Sequence, residues 1–311
     1  MLRKLPICCI SMAFAVSMAV AGDAPQSPAK PQAATQAGLS ATAIVDKNVA
    51  ARGGLQAWRA VQTMSLSGKL GAGGNQRATL AAPAAVPSGP VTSKKGVRPL
   101  APSRPVEEAQ LPFVMELKRP HKMRFELEFA GQTAVQIYDG ANGWKLRPYL
   151  NRRVVEPYTP EEIKMSSMQA DLDGPLVDYA AKGTRVELAG MEKVEGRDTY
   201  KLKLSLKDGR VLHAWIDAQT FLEAKMEGQP RRMDGTDHPV EVYFQDYREV
   251  NGLQIPFVLE TRVLPVAKTA LGFRDTPVPP EKITIEKVVV NPKLEESLFT
   301  KPEIQMASNS R

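Results

Sequence analysis

The chain has 311 residues, of which 41 are lysine or arginine and 34 are acidic, and its formal net charge is +7. Both cysteines, Cys8 and Cys9, lie within the first 21 residues, so a chain cleaved after them has no thiol for a disulfide, a metal site or a nucleophile. Without residues 1–21, 39 basic residues face 34 acidic ones, a charge of +5. A nucleic-acid surface needs stronger and more clustered charge on a folded face, so we expect no nucleic-acid partner.

The N-terminus has the pattern of a secretory signal peptide. Arg3 and Lys4 precede an apolar run from Leu5 to Val20, and small residues follow, which predicts cleavage after Ala21. The run is too short for a membrane anchor, and the cysteines lie inside it, not after it as a lipoprotein signal requires. We therefore expect an unlipidated secreted protein. Residues 22–39 contain few large apolar side chains and are predicted to be a flexible leader.

One amphipathic helix is predicted before the first strand. Ser40 is a suitable N-cap and Gly53 a suitable end, with a short second helical turn over residues 55–60. The apolar residues at helical spacing are Ile44, Val45 and Val49.

The rest of the chain alternates with period two, which predicts antiparallel strands. A first strand at Met64–Leu70 is followed by residues 71–110, which are rich in Ala, Pro and Gly and are predicted to be a disordered insertion within one domain over residues 40–302. Residues 303–311 are read as a tail. The further predicted strands are Phe113–Arg119, Lys122–Phe129, Thr133–Asp139, Gly143–Leu146, Arg185–Leu188, Tyr200–Leu206, Val211–Asp217, Leu222–Glu227, Val240–Glu249, Phe257–Val263 and Ile283–Asn291. About a dozen strands suffice for a strongly curved sheet or part-barrel.

The alternation makes one face of this sheet apolar and the other polar. The cover for the apolar face is limited to the N-terminal helix and segment 160–182, where Pro160 begins a helix and Gly174 and Pro175 break it before residues 176–181. A concave apolar face under a thin helical lid suits a flexible hydrophobic ligand, although side chains alone are an equally good filling. Alternate residues of a strand share a face, and this parity predicts the following cavity residues on the strands: Phe113, Met115, Leu117, Met123, Phe125, Leu127, Phe129, Val135, Ile137, Tyr200, Leu202 and Leu204. The lid contributes Ile163, Met168, Leu176 and Tyr179.

Catalytic and metal-binding patterns are absent from the sequence. His121, His213 and His238 have no zinc-ligand spacing, and the stretch Asp171–Gly174 lacks the further carboxylates of a calcium loop. No nucleophile elbow, phosphate loop or dinucleotide fingerprint is present. We expect no catalytic residues, no cofactor and no metal. A carboxylate pair that meets in space is the remaining enzyme hypothesis.

Arg119 is a cation on the apolar face. It shares parity with Met115 and Leu117, so its guanidinium is directed into the cavity and needs several acceptors there. The candidates are backbone carbonyls of the lid and the lid carboxylates Asp171, Asp173 and Asp178. The alternative is that Arg119, at the strand end, reaches solvent.

Four stretches resemble the LolA family of periplasmic lipoprotein carriers: Leu117–Pro120, Met123–Phe125, Val135–Gly140 with Gly143–Trp144, and the ending Leu294–Pro302. The resemblance covers residues 40–70 and 111–302. The 71–110 insertion has no counterpart in it, and the lid segment 160–182 matches too loosely to transfer residue roles.

The resemblance implies an incomplete barrel of about eleven antiparallel strands with short helices over its concave apolar face, a mainly β fold with an α lid. It implies a monomeric carrier that takes acylated lipoproteins or lipids from an inner-membrane lipoprotein export transporter towards an outer-membrane receptor. The arginine of the matching Lys-Arg-Pro stretch, Arg119, is the lid gate in this reading. The other hypotheses are an envelope sensor that binds a lipid, a carrier of another lipid, and an enzyme.

Overall fold

The computed structural model describes residues 38–72, 109–148, 152–233, 235–268, 272 and 278–302. The predicted signal peptide, nearly all of the predicted leader, most of the predicted insertion and the predicted tail lie outside the described residues.

Three helices occur in the described part of the chain. Helix α1 spans Ala41–Ala51 and is capped by Ser40, whose Oγ accepts a first-turn amide N–H. Helix α2 spans Leu55–Ala60. Helix α3 spans Pro160–Gln169, with a reciprocal capping box at its N-terminus. After α3, residues 171–183 form consecutive turns where a second helix was predicted, and we call them the turn segment.

The turn between α1 and α2 requires glycine at position 53. Gly53 has φ +112°, and a Cβ on it would lie 2.2 Å from the carbonyl oxygen of Gly252. The amide of Gln254 donates to the carbonyl of Arg52 at 3.1 Å, so this turn is also bonded to the sheet.

Fifteen strands are described: β1 Thr63–Ala72, β2 Ala109–Lys118, β3 Lys122–Phe129, β4 Gln132–Tyr138, β5 Gly143–Arg147, β6 Arg152–Pro157, β7 Arg185–Val194, β8 Arg197–Ser205, β9 Val211–Asp217, β10 Glu223–Glu227, β11 Arg231–Met233, β12 Thr236–His238, β13 Val240–Val250, β14 Leu253–Val263 and β15 Glu281–Val290. A 3₁₀ helix follows at Glu296–Phe299. Strands β11 and β12 form a separate hairpin, and the other thirteen form one antiparallel sheet.

The sheet has the order β6-β5-β4-β3-β2-β1-β15-β14-β13-β10-β9-β8-β7 and does not close into a ring. Strand β1 pairs with both β2 and β15, so the first and last strands meet in the middle of the sheet. The two edges, β6 and β7, are consecutive along the chain, and the connection between them carries α3 and the turn segment. The predicted incomplete antiparallel barrel with a short helical lid is confirmed, with thirteen strands in place of about eleven.

The concave face carries two apolar clusters. Cluster A lies beneath α2, and its buried members are Trp58, Val61, Met64, Phe113, Leu117, Met123, Tyr138, Ala170, Val177, Leu253, Ile255, Phe257 and Ile285. Cluster B lies beneath α1, and its buried members are Ile44, Val45, Leu176, Leu202, Leu204, Leu212, Ala214 and Ile216. Val49 of α1 packs against both clusters.

The convex face carries charged side chains, but some of its residues are buried. Trp215 and Tyr243 form a small buried cluster there, with Lys225 Nζ 3.9 Å from the Trp215 ring centre. The 3₁₀ helix lies against β3, where Arg124 donates to the carbonyl of Leu298 at 3.1 Å. Within the described part of the chain, no helix combines the length and the apolarity needed to cross a membrane.

Candidate functional site

Six of the twelve strand residues predicted to line the cavity lie on the concave face in cluster A. Phe113, Leu117 and Met123 are buried there, and Met115, Phe125 and Leu127 pack partly buried against them. The rings of Phe113 and Phe125 stack with their centres 5.8 Å apart. From the lid, Ile163 of α3 also packs against this cluster.

Cluster B holds five further predicted cavity residues, three on β8 and two in the turn segment. Leu202, Leu204 and Leu176 of the turn segment are completely buried, and Tyr200 and Tyr179 pack against them. The ring of Tyr200 stacks on Phe221, with centres 6.1 Å apart. The turn segment and the sheet therefore share an apolar contact here.

Val135 and Ile137 lie on the convex face, which corrects their assignment to the cavity. The β3–β4 register pairs Glu126 with Val135 and Arg124 with Ile137, and directly paired residues share a face. The prediction was wrong because both faces of β4 carry buried apolar side chains, so alternation within β4 does not identify the inner one. The inner residues of β4 include Tyr138, which parity missed.

Phe129 and Met168 lie outside both apolar clusters. Phe129 ends β3 with 42% of its surface exposed. Met168 Sδ contacts the guanidinium of Arg210 and the side-chain amide of Gln229, the latter at 3.3 Å. Neither residue contributes to the packed concave face.

Arg119 joins the end of β2 to two parts of the lid. Its Nε donates to the carbonyl of Val61 at 2.7 Å, and its Nη2 donates to the carbonyl of Trp58 at 3.1 Å, both at the C-terminal end of α2. Free carbonyls at a helix end attract cations. Nη2 also forms an ion pair with Asp173 Oδ2 of the turn segment at 2.7 Å. Arg119 thus connects the sheet, α2 and the turn segment at one point.

Asp173 is the acceptor at the centre of this network. Its side chain is 3% exposed, and Lys182 Nζ donates to Asp173 Oδ1 at 2.7 Å, to both oxygens of Asp171 at 2.8 Å and to the Gly174 carbonyl at 2.6 Å. Burial raises the pKa of Asp171 to about 6. Burial opposes ionisation of Asp173 too, but hydrogen bonds with Asp171, Lys182 and Arg119 lower its pKa to about 2.

A second arginine reaches the same residue from α1. Arg52 Nη1 lies 3.1 Å from the backbone carbonyl of Asp173 and 3.1 Å from Glu223 Oε1, and its guanidinium lies 4.4 Å from the Trp58 ring centre. The Tyr247 hydroxyl donates to Glu223 from the other side, and burial holds the pKa of Tyr247 well above its ordinary value. Sequence reasoning missed Arg52, because no pattern within α1 indicates a partner that lies 121 positions further along.

A cavity of about 290 Å³ separates α1 and α2 from the turn segment. Its apolar lining comprises Val45, Val49, Leu55, Leu176 and Tyr179. At its edge, Arg59 of α2 donates to both oxygens of Asp178, at 2.7 and 2.6 Å. This volume is at the lower limit of ligand pockets, about 300–1,000 Å³. The cavity marks the line along which the two parts of the lid meet.

The other candidate polar residues have ordinary partners. His213 Nδ1 lies 2.9 Å from Glu227, and Asp171 and Asp173 bond Lys182. Among the residues that the structure describes, no group of three or more His, Cys, Asp or Glu side chains is arranged to hold a metal ion.

Comparison with known proteins gives similarity in fold. No protein-family model matches the chain, and no curated protein matches it. A LolA superfamily protein from Nitrosomonas europaea is 13% identical with a TM-score of 0.47, over 85% of this chain and 99% of that one. This chain is similar to LolA superfamily proteins.

Two further solved structures are similar over nearly their whole length. A putative outer membrane lipoprotein-sorting protein domain from Vibrio parahaemolyticus is 10% identical with a TM-score of 0.46, over 84% of this chain and 96% of that one. A DUF1329 family protein from Desulfovibrio piger is 12% identical with a TM-score of 0.48, over 84% of this chain and 97% of that one.

Proposed function

We propose that the protein is a periplasmic carrier, not an enzyme, which holds the acyl chains of lipoproteins or lipids between the concave face and the lid of a domain over residues 40–302. The observation that carries the proposal is the contrast between a large apolar face and the small lid that covers it. Clusters A and B cover the concave face, yet their cover consists of helices of 11, 6 and 10 residues and a turn segment tied down by ion pairs. A large apolar surface under a small, polar-latched cover is suited to exchanging that cover for another apolar chain.

Acyl chains enter this interior by displacing the lid, because its side chains already fill the clusters. Breaking a buried ion pair costs about 3–5 kcal/mol. Each buried methylene contributes about 0.8 kcal/mol, so about six methylenes offset the loss of the Arg119–Asp173 pair. A longer acyl chain therefore opens the lid with free energy to spare, whereas a short one does not.

Arg119 is the gate in this proposal. It bonds the end of β2 to both α2 and the turn segment, so its loss removes a contact that joins these three parts. Arg59 and Arg52 keep their own bonds to the turn segment, so the lid is loosened and not released. The sequence resemblance to the LolA family supports an inner-membrane export transporter as the donor of cargo and an outer-membrane receptor as the acceptor.

The test is release of a triacylated lipoprotein from inner-membrane vesicles by the purified mature protein. We expect the native protein to release the lipoprotein and to pass it to outer-membrane vesicles, and Arg119→Leu to bind it but retain it. Arg124→Leu is the matched control, because Arg124 pairs with Glu126 on the convex face. Absence of release by the native protein would exclude lipoprotein transport, and binding of phospholipid in the same preparation would then indicate a carrier or sensor of another lipid.

A further inference from the structure

Two arginines from different elements converge on Asp173. Arg119, after β2, bonds its carboxylate at 2.7 Å, and Arg52, at the end of α1, bonds its backbone carbonyl at 3.1 Å. The Nε of Arg52 is buried without a hydrogen-bond partner. The carboxylate of Asp173 thus meets one guanidinium, and its backbone carbonyl meets a second one that has an unused buried donor.

When the turn segment moves away from the sheet, it takes more negative than positive charge with it. Asp171, Asp173 and Lys182 all belong to that segment and leave with it. Arg119 then keeps only the neutral carbonyls of Val61 and Trp58, while Arg52 keeps Glu223. The part of the site that stays behind has two cations and one anion, in a setting whose neighbours Trp58 and Val61 are buried in cluster A.

We propose that Arg119 and Arg52 bind the anionic head group of an amphiphile, a phosphate or a carboxylate, and that Asp173 fills this site while the lid is closed. The proposal rests on the carrier function above and names its preferred ligand class. A guanidinium held away from water without an anion is unfavourable, and its planar donors match the oxygens of carboxylate and phosphate. A neutral triacyl group contacts the same apolar surface through its chains alone, so it binds less tightly than an anionic amphiphile with the same chains.

The test compares amphiphiles that share their chains and differ in the head group, bound to the full mature protein. One arm compares palmitate with hexadecanol, which has a chain of the same length. The other compares phosphatidic acid with a diacylglycerol that has the same acyl chains. We expect the native protein to bind the anionic member about ten-fold more tightly in at least one arm. A hydrogen bond to a charged group changes an affinity by about this factor. The arm in which this occurs identifies the source of the anion.

Variants separate a head-group site from a simple latch. Arg119→Gln is expected to reduce the ratio of anionic to neutral affinity to about two-fold or less, while neutral binding rises because the same latch is lost. Asp173→Asn weakens the latch but leaves both arginines, so both affinities rise and the ratio stays near ten-fold. Arg124→Gln, on the convex face, keeps the native ratio.

Each result decides between the two proposals. A native ratio near one in both arms, or an unchanged ratio in Arg119→Gln, would overturn the head-group site and leave the carrier function standing. Failure of every amphiphile to bind the folded native protein would overturn both.

Discussion

Asp171 and Asp173 bond the same ammonium group of Lys182 and yet have opposite pKa shifts. Burial and the hydrogen bond with Asp173 raise the pKa of Asp171. At Asp173, hydrogen bonds with Asp171, Lys182 and Arg119 outweigh burial and lower the pKa. Sequence reasoning placed both aspartates among the possible partners of Arg119. It did not single out Asp173 or include Arg52, because that choice depends on how the turns of the segment are folded.

The shift of Asp171 predicts a pH dependence of the closed lid. A carboxyl group whose pKa is raised on folding stabilises the folded state at low pH, and this contribution is lost as the pH rises from the ordinary value of 3.8 through about 6. Asp173 acts in the opposite sense, and its contribution is lost only as the pH falls towards about 2. Between pH 4 and pH 7 we therefore expect amide hydrogen exchange in the turn segment to become faster, after correction for the intrinsic rate.

The control for this prediction is Asp171→Asn, which cannot titrate. Exchange in its turn segment should be independent of pH over the same range after the same correction. A pH dependence equal to that of the native protein would assign the effect to another group.

At the scale of the elements, alternation identified the long strands and failed where an element is short or apolar on both faces. Strands β3 and β8 each have one polar and one apolar row, and parity placed their inner residues on the concave face. Strand β6 was missed, because its adjacent apolar residues Val154 and Val155 do not alternate, and the three-residue strands β11 and β12 are too short to show a period. The sequence predicted the N-terminal helix as cover for the apolar face, but not that α1 and α2 lie over different clusters.

Strands β3 and β4 provide a matched test of which face is the inner one. Phe125→Asp places a charge on the concave face, and we expect it to abolish acyl-chain uptake. Ile137→Ala removes volume from the fully buried convex side of β4, which should cost about 2–5 kcal/mol of unfolding free energy but leave uptake by the folded fraction unchanged. Urea denaturation and acyl-chain binding measure the two effects separately. Uptake that survives in Phe125→Asp would show that the ligand uses another surface.

The turn between α1 and α2 predicts contrasting effects for two adjacent glycines. Both have positive φ, so alanine at either position costs about 1 kcal/mol from the backbone alone. A Cβ at Gly54 meets no atom within 4 Å, but one at Gly53 collides with the backbone at Gly252. We expect Gly53→Ala to lower the melting temperature clearly more than Gly54→Ala. Equal effects would mean that the lid shifts readily at this turn.

At the scale of the whole molecule, one part of the lid, α3 with the turn segment, belongs to the connection between the two open edges of the sheet. Strands β6 and β7 are the edges, and the chain between them contains α3 and the turn segment. A change in the separation of the edges therefore acts on both ends of this connection. The sequence indicated the curved sheet and its scarce helical cover, but not this arrangement, because strand order depends on pairings between distant residues such as Met64 and Val290.

The central position of β1 has a consequence for how the protein is made. A chain synthesised from its N-terminus presents β1 to β6 first, and β1 then has a partner on one side only. Its other edge, and the apolar row beside it, stay open until β15 arrives, about 170 residues after β2 begins along this chain. The nascent half-sheet thus leaves open an apolar surface and an unpaired strand edge that the finished fold covers, which makes this stage of folding prone to aggregation until the last strand pairs.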